Sequence, residues 1–138
     1  MGGYLMTYIP TKGIINNNFD FSKPVVSSSE SVNLANESTG IFMELTIPAG
    51  YDDLQPFYCR VGYNCTSDGD RVSGHLVKNG ERVSGNFGKN VDQYVIDNYA
   101  NFIVFAKSGD KIGIYASAGY YNYNGSLNHL IIYEQLVR

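Results

Sequence analysis

The 138-residue chain has no tryptophan, two cysteines, two histidines and four prolines, and only 17% of its residues are charged. Each shortage excludes something. The ten basic residues are scattered, with no cluster beyond pairs such as Lys107 and Lys111. That argues against a nucleic-acid partner, which needs a concentrated positive footprint, and against attachment to an anionic membrane surface. The longest wholly apolar run, residues 102–106, has five residues, whereas a spanning helix needs about twenty. No membrane insertion is expected. Residues 1–10 carry no basic region and no sustained apolar segment, so no cleavable secretion signal is read there, and Met6 is an alternative start. With His75 and His129 alone, neither beside a nucleophile at motif spacing, no catalytic residues, metal or cofactor are expected, and the protein reads as a non-enzyme. A metal-dependent sugar isomerase or lyase would need more histidines.

What is present points to strands and turns. Tyrosine occurs 12 times, phenylalanine 7, glycine 15 and asparagine 14, residues typical of strands and turns rather than helices. Residues 1–39 have little periodicity and include the loop-like runs Asn16-Asn17-Asn18 and Ser27-Ser28-Ser29. They read as an extended N-terminal arm with one or two short strands near Val25 and Val32. From residue 40 the pattern becomes regular. Ile41, Met43, Leu45 and Ile47 alternate with Phe42, Glu44 and Thr46, which predicts a half-buried strand with the first set inward. Phe57, Cys59, Val61, Tyr63 and Cys65 share one side of a second strand. On an extended strand Cys59 and Cys65 stand about 20 Å apart, too far for a disulfide, which needs about 7 Å. Both are expected to be free thiols. Asn79-Gly80 between valine-bearing runs signals a type I′ hairpin. Apolar strands follow at 102–106, 111–116 and 127–137, while 91–100 can be read either way. Turn signals every 8–12 residues predict an all-β antiparallel sandwich or barrel over residues 40–138.

Candidate binding residues fall into two groups. Tyr120, Tyr121, Asn122, Tyr123 and Asn124 set flat amphipathic rings beside amide donors and acceptors, a combination suited to sugars or proteins. The same loop could instead pack on its own sheet or on a neighbouring subunit. The second group is a surplus apolar face. Strands 102–106 and 127–137 are apolar on both sides, yet a lone sandwich buries one face of each sheet. Phe105, His129, Ile131 and Tyr133 are therefore candidates for an interface with a symmetric neighbour, joined by Tyr115 of the 111–116 strand, with the N-terminal arm or a loop as the alternative cover. The acidic pairs Asp52-Asp53 and Asp68/Asp70 read as turn residues, with a calcium site as the alternative, although the full calcium-loop pattern is missing. The three glycosylation sequons at Asn36, Asn64 and Asn124 are near chance frequency.

Three segments also resemble, in their order, the globular heads of complement-component-like proteins, which share the tumour-necrosis-factor-like jelly roll. They are the hairpin Leu76-Val77-Lys78-Asn79-Gly80, the Lys107-Ser108-Gly109-Asp110-Lys111-Ile112 turn between apolar strands, and the small-residue loop feeding a closing strand over 120–133. The resemblance covers residues 40–138 and implies a jelly roll that assembles as a homotrimer. A short, weakly charged, Asn/Tyr/Gly-rich chain with an N-terminal arm is also similar in style to bacteriophage capsid-decoration, head-fibre and tail-tip proteins. The resulting expectation is a non-enzymatic virion protein. Its arm would meet other virion proteins, and its trimeric head would bind a host-surface glycan or protein. The alternative is a secreted, complement-head-like binding module.

Overall fold

The computed structural model describes residues 9–10, 18–34, 39–64, 72–89, 98–117 and 125–136. These form two antiparallel sheets packed face to face. The first contains β1 (Ile9–Pro10), β9 (Asn98–Ala106), β5 (Gln55–Asn64), β11 (Gly125–Tyr133) and β2 (Val26–Ser28) in that order, with β3 (Val32–Leu34) also pairing with β11. The second contains β4 (Thr39–Thr46), β10 (Lys111–Ser117), β6 (Val72–Lys78) and β7 (Glu81–Arg82), with β8 (Phe87–Lys89) also on β6. The pairings nest: β2 and β3 with β11, β4 with β10, β5 with β9, and β6 with β8. That is one long hairpin rolled over itself, the jelly-roll arrangement.

Alternation along each strand builds the core. Phe57, Cys59 and Val61 of β5, Phe102, Val104 and Ala106 of β9, and Ile112, Ile114 and Ala116 of β10 all point between the sheets and are buried. Cys59 is a free thiol, and its burial pushes the pKa far up, so it packs as a small apolar residue. Cys65 lies outside the described residues. Asn79 and Gly80 both have positive φ, 53° and 85°, which is what a type I′ turn requires.

One strand departs from its alternation. In β4, Leu45 faces Ile112 but Phe42 faces Ile114, so β4 carries an extra residue and the register shifts. Met43, at φ 54°, takes up the bulge. The inward set therefore changes phase. Phe42 packs against the core, while Ile41 turns outward and is 45% exposed. A second bulge sits between Leu127 and His129 in β11, so that Leu127 and Leu130 both face inward.

The surplus apolar face of the first sheet is covered within the chain. Residues before position 40 contribute more than β2 and β3. Phe19 bridges Gln135, Asp20 N–H donates to Glu134 O at 2.9 Å, and Leu136 N–H donates to Asn18 O at 2.7 Å. This strap lays Phe19 against Tyr58 (ring centroids 5.4 Å apart) and sets Phe21 edge-on against Tyr58 (4.9 Å) and Tyr133 (5.0 Å). Phe19, Tyr58, Ile103 and Tyr133 form a second buried cluster on the outer side of the sheet, flanked by Phe105 and Ile131. Leu34 of β3 reaches the main core and is 1% exposed.

Candidate functional site

The outer face of the second sheet is different in kind. It is polar and open, and its side chains come in rows set by cross-strand register. Ile41 of β4 faces Tyr115 of β10, which faces His75 of β6. Beside them, Thr39 faces Ser117, which faces Ser73. The cause is alternation: Ile112, Ile114 and Ala116 point in, so Tyr115 and Ser117 point out, and Val72 and Leu76 point in, so Ser73 and His75 point out.

The Tyr115 and His75 rings stack, with centroids 5.0 Å apart and planes 19° from parallel. Tyr115 remains 39% exposed. Above them opens a groove of about 320 Å³, with Thr39, Ser73 and Ser117 along one side and Arg82 and Asn86 along the other. The hairpin turn aims Arg82 here, because it returns β7 antiparallel to β6 with Arg82 opposite Val77. Arg82 Nε donates to Ser84 O at 2.9 Å and its Nη2 donates to Asn86 Oδ1 at 3.0 Å, so the guanidinium is held in one orientation. The Ser84 hydroxyl in turn accepts Leu76 N–H at 2.7 Å and anchors the loop to β6. Burial first, and then the Arg82 charge, hold the His75 imidazole below its ordinary value, against a hydrogen bond with Asn86 that favours protonation. His75 is therefore neutral at pH 7. Together the site offers a flat uncharged ring stack, hydroxyls, an amide and one fixed cation.

Of the residues singled out in the sequence, Tyr120, Tyr121, Asn122, Tyr123 and Asn124 lie outside the described residues. The five interface candidates are divided between the two outer faces. Tyr115 is in the groove. Phe105, His129, Ile131 and Tyr133 are on the opposite side of the molecule, on the first sheet. Tyr133, 7% exposed, is covered by Phe21, and the His129 ring lies over Gly62, 5.5 Å from the Tyr99 ring. Arg60 stands over the Tyr99 ring at 5.5 Å. Sequence reasoning did not single out His75, Arg82 or Asn86 as a site. The available signal was the outward phase of Ser73-Gly74-His75, combined with the hairpin that folds Arg82 back beside it. Among the described residues no group of three or more His, Cys, Asp or Glu is placed to hold a metal ion.

No family model matches the sequence, and no curated protein does. Among solved structures, the chain is similar to the C-terminal CBM6 of LamC, a marine laminarinase from Zobellia galactanivorans, at 16% identity over 84% of this chain and 97% of that one, with a TM-score of 0.45. It is similar to the carbohydrate binding module CBM6cm-2 of a Cellvibrio mixtus lichenase, crystallised with cellotriose, at 13% identity over 92% and 95% of the two chains, TM-score 0.45. It is also similar to an exo-beta-1,3-galactanase from Phanerochaete chrysosporium, at 15% identity over 92% of this chain and 29% of that one, TM-score 0.41.

Proposed function

We propose that this protein is a non-catalytic glycan-binding module whose site is the groove over Tyr115 and His75. The observation that carries the reading is the exposed, nearly parallel Tyr115–His75 stack with polar groups on both sides. A pyranose ring presents a face of C–H groups and a rim of hydroxyls. It therefore fits a flat aromatic floor flanked by donors and acceptors. The groove volume of about 320 Å³ is at the small end for a ligand site, which suits one or two sugar rings. Among the described residues the lining carries no carboxylate and no thiol.

The same proposal keeps the wider setting expected from the sequence: a homotrimer carried on a bacteriophage particle, with a host-surface glycan or protein as partner. The secreted module is its alternative. Support for that setting comes from the weakly charged, Asn/Tyr/Gly-rich composition and the motif order. Light scattering should give three times the 15.3 kDa of one chain; a single-chain mass overturns the trimer.

The test of the binding reading is a glycan array followed by calorimetry on the strongest binder. Replacing an aromatic anchor by Ala removes a hot-spot contact, so Tyr115→Ala should weaken binding by about tenfold or more. Tyr115 is part-exposed, so the fold should survive. An array on which nothing binds, or binding unaltered in Tyr115→Ala, overturns the reading.

A further inference from the structure

We infer that the glycan taken by this groove is uncharged and lies across the strands, with one ring on the Tyr115–His75 stack and the next over Ile41. The inference rests on the glycan-binding reading and deepens it. Register carries it. Ile41, Tyr115 and His75 stand opposite one another on β4, β10 and β6, so three outward side chains form a row at right angles to the strands. With strands about 4.8 Å apart, that row is about 10 Å from end to end. Ile41 is 45% exposed and Tyr115 39%. Ile41 leans toward β10, its Cγ2 only 3.0 Å from where a Cβ on Gly113 would stand, and it continues the apolar floor past the ring stack. A second row, Thr39, Ser117 and Ser73, runs parallel to the first, two residues away on each strand and so about 7 Å from it. Pyranose rings joined in a chain present the same two features side by side, ring faces in line and hydroxyls along the flank. A glycan turned along β10 would pass from Tyr115 to Gly113 or Ser117 and meet no second apolar side chain there.

The two ends of the row differ. At the His75 end stands Asn86, which is exposed. Its Oδ1 is taken by Arg82 Nη2 at 3.0 Å, so the group its amide can turn to a ligand is the N–H2 donor. Arg82 is engaged within the protein: Nε bonds Ser84 O, Nη2 bonds Asn86, and these are not its only interactions. It orients this rim rather than receiving a ligand anion. His75 is held neutral, by burial first and then by the Arg82 charge. A sugar carboxylate brought here would lose water with no committed partner to replace it. Sugar hydroxyls are matched instead by the uncharged groups of Thr39, Ser73 and Asn86. At the Ile41 end the contact is apolar burial. The first ring is therefore fixed by hydrogen bonds and the second by its face alone, and mutation can separate the two.

The experiment uses the full chain. An array of neutral oligosaccharides of glucose, galactose, mannose and xylose, set beside uronate-bearing counterparts, selects the best neutral series. Calorimetry then compares its members of one, two and three rings. Affinity should rise about fivefold from one ring to two. Ile41→Ala should abolish that step and leave the single ring unchanged, whereas Asn86→Ala should weaken every length by about fivefold. Thermal melts check that both variants fold; Ile41→Thr, which suits an exposed strand position, stands in if Ile41→Ala does not. No gain from the second ring would overturn the crossing of the strands, as would an Ile41→Ala loss that is absent or equal at every length. Asn86→Ala without effect would overturn the placing of the first ring, and tighter binding of the uronates would overturn the uncharged assignment. Where Tyr115→Ala still weakens binding, each of these results leaves the glycan reading intact. No binding by any glycan would overturn both.

Discussion

Asn79 and Asp110 hold each other across one end of the sandwich: the Asn79 side-chain amide donates to Asp110 Oδ1 at 3.0 Å, 31 residues along the chain. Each also closes its partner's turn or its own. Asn79 Oδ1 accepts Lys111 N–H at 2.9 Å, Asn79 N–H donates to Lys111 O at 2.8 Å, and Asp110 Oδ2 accepts Lys107 N–H at 2.9 Å. The Asp110 main chain joins in, its carbonyl accepting Ile47 N–H at 2.8 Å. One clasp thus ties β4, β6 and β10 together at the end from which the hairpin carries Arg82 to the groove.

Asp110 should matter to stability, and with a defined pH dependence. Burial raises its pKa, but the bonds from Asn79 and Lys107 and the charges of Lys78 and Lys107 outweigh that, and the net direction is down from 3.8. A carboxyl depressed in the folded state adds stability that is complete above its unfolded pKa. That stability is lost as pH falls toward and through the folded value. Asp110→Asn should therefore cost about 1–3 kcal/mol at neutral pH, and its urea-denaturation stability should fall less steeply than wild type between about pH 5 and pH 3. Equal slopes in the two proteins would show that Asp110 is not the group responsible.

Both turns of this clasp were legible in the sequence because their chemistry is local: Asn-Gly asks for positive φ at two successive residues, and Ser-Gly-Asp breaks a strand. Their meeting was not legible, since it depends on how the rolled hairpin brings strand ends together. The same division runs through the rest. Alternation identified the core sides of β5, β9 and β10, but a bulge at Met43 reversed the reading of Ile41 and Phe42, and nothing in an alternating pattern marks where an extra residue enters. The outward phase of His129, Ile131 and Tyr133 followed from their spacing. Phe19 and Phe21, which cover Tyr133, sit in a stretch with no periodicity. The groove draws on β4, β6, β7 and β10, so no continuous motif announces it; of its residues His75 was weighed only for catalysis or metal binding, and Tyr115 only as an interface residue.

Gly62 is where the ring of His129 comes down on the first sheet. A Cβ at this position would lie 2.3 Å from the His129 ring, so Gly62→Ala must displace it and, with it, the ring contact to Tyr99. The expected cost is about 1–3 kcal/mol. Adding His129→Ala should recover much of that, because the clashing ring is gone. A double-mutant cycle by denaturant melting measures the coupling; strict additivity would rule out this contact as the cause.

The aromatic strap predicts that the sequence before residue 40 is needed for a stable single chain. Phe19 is 6% exposed and Leu34 is 1% exposed. Phe19→Ala should cost about 3 kcal/mol, and Leu34→Ala about 2–5 kcal/mol. A chain starting at Gly40 loses both and uncovers Tyr58 and Tyr133. It should be strongly destabilised or associate through the uncovered face. A truncated chain as stable as the whole one, and equally dispersed, would contradict this.

His75 gives the most direct probe of the groove's electrostatics. Its pKa is held below 6.5 by burial first and by the Arg82 charge second, with the Asn86 bond acting in the opposite sense. The sign for stability follows. As pH falls below 6.5 the unfolded chain takes up this proton before the folded one does, so stability declines across the window between 6.5 and the lower folded value and then levels off. Removing Arg82 removes only the second cause. Imidazole NMR should therefore show His75 titrating below the ordinary range in wild type. In Arg82→Gln it should titrate higher, yet still below 6.5, because the ring remains stacked on Tyr115 and part-buried. An unchanged His75 titration in that variant would show that the Arg82 charge does not reach the ring stack.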